Sequence, residues 1–183
     1  MLGLAFGCNN SIYYASSSVL PEFLNHTDRG HLISDALLWL NLAQFAALLL
    51  MLWMADRIMH RAWPFIVFGL MAVIGLCALP YLDGVWIIVA ATAVGLASAV
   101  TFAAMLALPP ALSAPDDVHR TAAGMFTIAY MISVFTPMIC GALWDLTGLP
   151  RIAFLPIVVC AFGLTILGAG LSRYRPQPSL ART

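Results

Sequence analysis

The chain has 183 residues, 62% of them hydrophobic and only 9% charged, and its eight arginines and eight carboxylates cancel in the absence of lysine. A mean hydropathy of +0.95 lies far outside the soluble range and predicts an integral membrane protein. Zero net charge argues against a nucleic-acid partner, and no metal-ligand or phosphate-binding spacing is present, so no metal or other cofactor is implied.

Six runs are long enough to cross a bilayer core as helices of roughly 20 residues at about 1.5 Å each. They cover about 2–20, 35–54, 63–80, 85–108, 121–144 and 152–171. The runs are too long, and alternate too little, for barrel strands, so the expected class is an all-α polytopic membrane protein. One six-helix transmembrane domain spans 1–175, followed by a cytoplasmic tail at 176–183.

The first run is not a signal peptide, because it lacks a basic leader and carries Asn9, Asn10, Tyr13, Tyr14 and several serines. Polar groups in lipid are costly, so these side chains turn inward, and Asn10 and Tyr14 share a face at i, i+4 spacing. The second run offers Asn41 and Gln44 and ends in "LWMADRIMHRAWP", where Asp56, Arg57 and Arg61 bracket a tight turn. An acid near a helix start and an arginine near a helix end suit any such turn. The fourth run carries a smooth ridge of Ala91, Gly95, Ala99 and Ala103, suited to close helix packing, and contributes Thr101. The fifth run holds Thr127, Tyr130 and Pro137; the proline removes one backbone bond, predicting a kink that serves either as a hinge or as a static bend. Cys8, Cys77, Cys140 and Cys160 lie in apolar runs and read as packing residues, while His26, His31, His60 and His119 fall in connections. The sequon Asn25-His26-Thr27 lies too close to the membrane and reads as a chance match.

Arg57, Arg61, Arg120, Arg173, Arg175 and Arg182 fall on one side of the expected topology and only Arg29 and Arg151 on the other. Basic residues mark cytoplasmic connections, so both termini are expected in the cytoplasm. Leu20-Pro21 recurs 88 positions later as Leu108-Pro109, and Asp56 recurs 89 positions later as Asp145. These offsets predict two repeats of three helices each, and an odd number of spans per unit requires opposite orientations in the bilayer.

The loop at Asp56, Arg57 and Arg61 resembles a degraded copy of the G-x-L-x-D-R-x-G-R-R motif of the major facilitator superfamily, with Leu52 and Met59 in place of glycines and His60 in place of a basic residue. Gly124-Met125, Tyr130, Pro137, Gly141, Leu143, Asp145, Thr147 and Gly148 resemble the eleventh-helix pattern of its cyanate and nitroimidazole permease branch, with Ala129 and Thr136 replacing two glycines. "FGCNNSIYY" with Leu20-Pro21 is similar to that branch's seventh helix. The likeness covers nearly the whole chain, but only as the C-terminal half of a twelve-helix fold. It implies a bacterial inner (plasma) membrane location, an outer loop motif at Gly141, Asp145 and Gly148, and a substrate cavity between two six-helix halves.

The expected function is therefore half of a secondary-active transporter for a small polar or anionic solute of unknown identity. Its expected partners are the lipid bilayer and an N-terminal six-helix half or a second copy of the chain. Asn10 and Tyr14 read as substrate lining. Asn9, Tyr13, Asn41 and Tyr130 read equally as lining or as interhelical hydrogen-bonding groups, and Gln44, Thr101 and Thr127 as the latter. No ionisable group lies at mid-membrane depth, so a coupling residue would have to come from the other half, and an intramembrane enzyme finds no nucleophile or paired acid. A non-transporting membrane scaffold or a truncated, inactive transporter fragment is the alternative.

Overall fold

The computed structural model describes residues 1–58 and 63–173. Each long apolar run is an α-helix, because a helix satisfies its backbone donors and acceptors internally and leaves apolar side chains free to pack. The helices are α1 (Leu2–His26), α2 (Ile33–Ile58), α3 (Trp63–Ala78), α4 (Val85–Leu106), the short α5 (Leu108–Leu112), α6 (Val118–Thr147) and α7 (Leu155–Arg173). No strand occurs among the described residues. Helices α2, α3, α4, α6 and α7 are long and apolar enough to cross a membrane. Helix α1, with 25 residues, is long enough at roughly 37 Å but carries too many amides and hydroxyls to qualify on hydropathy.

Those polar groups are accommodated because α1 lies inside the bundle, packed on α4, α6 and α7. Asn9, Asn10, Ser11 and Ser16 are buried along it together with Phe6, Ile12, Leu20, Phe23 and Leu24. The other main packing pairs are α2 on α4, α3 on α4, and α3 on α7. Glycines set the closest approaches. A Cβ at Gly95 would collide with the Leu40 carbonyl oxygen of α2, and one at Gly7 would meet the Ile132 side chain of α6 at 2.6 Å.

Several boundaries differ from the sequence expectation. Helix α1 does not stop at Leu20-Pro21: it runs to His26 with Pro21 inside it. Pro21 removes one backbone donor, but Leu20, Phe23 and Leu24 are buried around it, and their packing carries the helix past the break. Helix α4 ends at Leu106, and Leu108-Pro109 opens the separate α5, because prolines are accommodated in a first helical turn. Helix α6 extends three residues further at each end than 121–144.

Gly141 and Asp145 consequently lie within α6 rather than in an outer loop, whereas Gly148 is its C-cap, with φ +66° and its N–H donating to the Trp144 carbonyl at 2.8 Å. A left-handed residue is needed there to close the last carbonyls, which glycine provides without strain. Pro137 sits inside α6 and leaves the Ser133 carbonyl without its i+4 donor. Asp56 and Arg57 belong to the helical backbone of α2, while Arg61 and the tail at 176–183 lie outside the described residues.

The connections after α1, α3 and α6 share one end of the bundle. Arg29 ties the first two together, donating to the Leu82 carbonyl at 2.9 Å and pairing with Asp83 at 2.6 Å. The guanidinium of Arg151, from the third, lies 4.9 Å over the Tyr81 ring of the second.

Candidate functional site

The polar face of α1 opens onto a cavity of about 270 Å³ lined by α1, α2, α4 and α6. Helix α1 contributes Asn9, Asn10, Tyr13 and Tyr14, and α6 contributes Tyr130. Gln44 and Leu48 enter from α2, and Ser98, Ala99 and Phe102 from α4. The i, i+4 spacing does bring Asn10 and Tyr14 to one space, but at different depths. Asn10 is 5% exposed, whereas Tyr14 is 45% exposed and forms part of the rim.

Asn9 is bound from one side. The Thr101 hydroxyl lies 2.6 Å from Asn9 Oδ1 and 2.7 Å from the Ala97 carbonyl, and it has one hydrogen to give. Turning the Asn9 carboxamide over would let Nδ2 donate to Thr101 Oγ1 while the hydroxyl donates to Ala97. In either orientation the far end of this buried amide is unpaired, and in the orientation present that end is Nδ2. The hydroxyls of Ser16 and Ser17, about two turns further along α1, also lack partners among the described residues. Unpaired buried polar groups each cost about 1–3 kcal/mol, so a donor left beside a cavity marks a place where a polar solute or water gains a bond.

Asn41 is placed differently from the other candidates. Its Oδ1 accepts from the Tyr13 hydroxyl at 2.7 Å and from Gln44 Nε2 at 3.3 Å, and its Nδ2 donates to the Leu37 carbonyl at 2.7 Å. Asn41 therefore orients Tyr13 from behind the cavity instead of lining it. Gln44, read from sequence as an interhelical group, lines the cavity while bonded to Asn41. Thr101 is an interhelical group, and Thr127 donates to its own helix at the Ala123 carbonyl.

Aromatic rings form much of the remaining wall. Tyr13 and Tyr14 meet edge to face at 5.4 Å, and Tyr130 stacks on Phe126 at 6.2 Å. None of the lining residues is charged. Sequence reasoning missed Leu48, Ser98, Ala99 and Phe102. Three of them, Ser98, Ala99 and Phe102, lie 89 positions beyond Asn9, Asn10 and Tyr13, the same spacing that separates Asp56 from Asp145. No family model, curated protein or solved structure matches the chain.

Proposed function

We propose that the chain is one half of a secondary-active transporter of the major facilitator type, moving a small polar or anionic solute by alternating access and lining one side of the central cavity. The observation that carries this reading is that two helices from the first three-helix segment, α1 and α2, and two from the second, α4 and α6, line the cavity together. Exchanging α1, α2 and α3 for α4, α6 and α7 maps the main packing pairs among the described residues onto one another. The α1–α6 pair becomes α4–α2, α1–α7 becomes α4–α3, and α1–α4 and α3–α7 are their own counterparts.

Two pairs of close approaches are related in the same way. Gly7 against α6 and Gly95 against α2 lie 88 positions apart, as do Gly75 against α4 and Gly163 against α1. Cavity residues Asn9 and Ser98, Asn10 and Ala99, and Tyr13 and Phe102 are each 89 apart, and the same offset relates Asn41, behind the cavity, to the lining residue Tyr130. Inverted units meeting at a polar cavity near the midplane are the architecture on which alternating access is built, because either unit can rock against the other around a fixed site. An uncharged lining means that a charge on the solute must be met by the partner half, either an N-terminal six-helix unit or a second copy.

Tyr14→Cys and Asn10→Cys, on a background lacking the four native cysteines, test the reading in membranes. Tyr14→Cys is expected to react readily with a small water-soluble thiol reagent and Asn10→Cys more slowly. Complete protection of both would make these residues interhelical bonding groups and remove the solute cavity. Saturable, solute-specific uptake by a lone monomer in liposomes would remove the half-transporter reading.

A further inference from the structure

The end of the bundle holding the Arg29–Asp83 pair contains a second arginine in a different situation. Arg29 is neutralised, whereas Arg151 has no carboxylate within ion-pair distance among the described residues. The backbone that carries Arg151 is nonetheless anchored. Its turn, Pro150–Phe154, is anchored by Ala153 at 0% and Phe154 at 2% exposure, with Phe154 edge-on to Phe23 at 5.2 Å. Its ring partner Tyr81 stands on a turn anchored by the buried Leu79 and Pro80.

Two cavities meet at this arginine and tyrosine. One, of about 470 Å³, lies toward the connections and includes Thr27, Leu149 and Pro150. The other, of about 330 Å³, runs along α3 and α7 between Leu76, Cys77, Leu155 and Val158. Tyr81, Arg151 and Ile152 border both. The second cavity opens on outward faces of helices long and apolar enough to span a bilayer, where Leu155 is 56% exposed.

We infer that this paired cavity binds an anionic glycerophospholipid, its phosphate at Arg151 and one acyl chain in the groove between α3 and α7. An exposed guanidinium on an anchored turn, without a counter-anion among the described residues, suits a phosphate, to which it presents a planar set of donors. The Tyr81 ring covers one face of the guanidinium and leaves its edge free. An apolar groove that continues from the same residues along two spans is matched by an amphiphile, whereas free phosphate would occupy only the head region. The site is independent of the transport reading and lies at the bundle end, away from the solute cavity.

Native mass spectrometry of the purified chain tests this, using detergent micelles doped with phosphatidylglycerol or phosphatidylcholine. Phosphatidylglycerol is expected to be retained about fivefold better than phosphatidylcholine, a preference lost in Arg151→Gln, on the scale of about 1 kcal/mol for one arginine at an anionic surface. Arg151→Lys should keep part of it. Cys77→Trp, which fills the groove and leaves the arginine untouched, should lower retention to the level of Arg151→Gln with the helical circular dichroism unchanged. Equal retention of the two lipids, unchanged retention in Cys77→Trp, or full displacement of phosphatidylglycerol by millimolar inorganic phosphate would each overturn the proposal.

Discussion

Replacing Gly95 by alanine adds a single methyl group where α4 crosses α2. The new Cβ would collide with the Leu40 carbonyl oxygen and come within 2.9 Å of the carbonyl carbon and 3.1 Å of the Leu40 Cα. All three atoms are backbone, so no side-chain rotation relieves the overlap and the two helices must separate. Overpacking of this kind costs about 1–3 kcal/mol, from which a helix-propensity gain of up to about 1 kcal/mol is to be subtracted. The net expectation is a loss of up to about 3 kcal/mol, with a central value of about 1–2 kcal/mol.

Gly141 provides the internal control, because a Cβ there meets nothing within 4 Å. Gly141→Ala should be neutral or stabilising by up to about 1 kcal/mol. Reversible unfolding of the detergent-solubilised chain by sodium dodecyl sulfate, followed by circular dichroism, reads both variants on one scale. A Gly95→Ala midpoint at or above that of Gly141→Ala would refute the close α2–α4 crossing, and with it the inference that glycine is required there.

Thr101→Val removes the hydroxyl that binds Asn9 and should cost about 0.6–1.7 kcal/mol in the same unfolding assay; a stability equal to the parent would mean that Asn9 finds another partner. Tyr13→Phe breaks the 2.7 Å bond to Asn41 and should cost about 0.6 kcal/mol; a stability equal to the parent would contradict the role of Asn41 in orienting Tyr13. Arg29→Gln removes a partly exposed ion pair and should lower stability by no more than about 1 kcal/mol, less at high salt, and a larger, salt-independent loss would shift the weight to the bond with the Leu82 carbonyl. A reporter active only outside the cytoplasm, fused after Thr183, should stay silent if the arginine asymmetry orients the chain, and strong activity would invert the topology.

Composition alone determined that the chain is helical and apolar enough for a membrane, because satisfying the backbone in hydrocarbon leaves few other choices for runs of this length. It also located Asn9, Asn10, Tyr13, Tyr14 and Tyr130, since amides and phenols are conspicuous where most neighbours are aliphatic. Sequence did not reveal that Pro21 would be carried inside α1, because its effect depends on the burial of Leu20, Phe23 and Leu24 around it. Nor did spacing decide between Asn41 and Gln44: both lie on α2, and only the position of the Tyr13 hydroxyl engages Asn41 and leaves Gln44 beside the cavity. The ridge from Ala91 to Ala103 looks uniform as a string of small residues. Tertiary packing divides it, pressing Gly95 against α2 and turning Ala99 to the cavity, because a helix face acquires its function from what stands opposite.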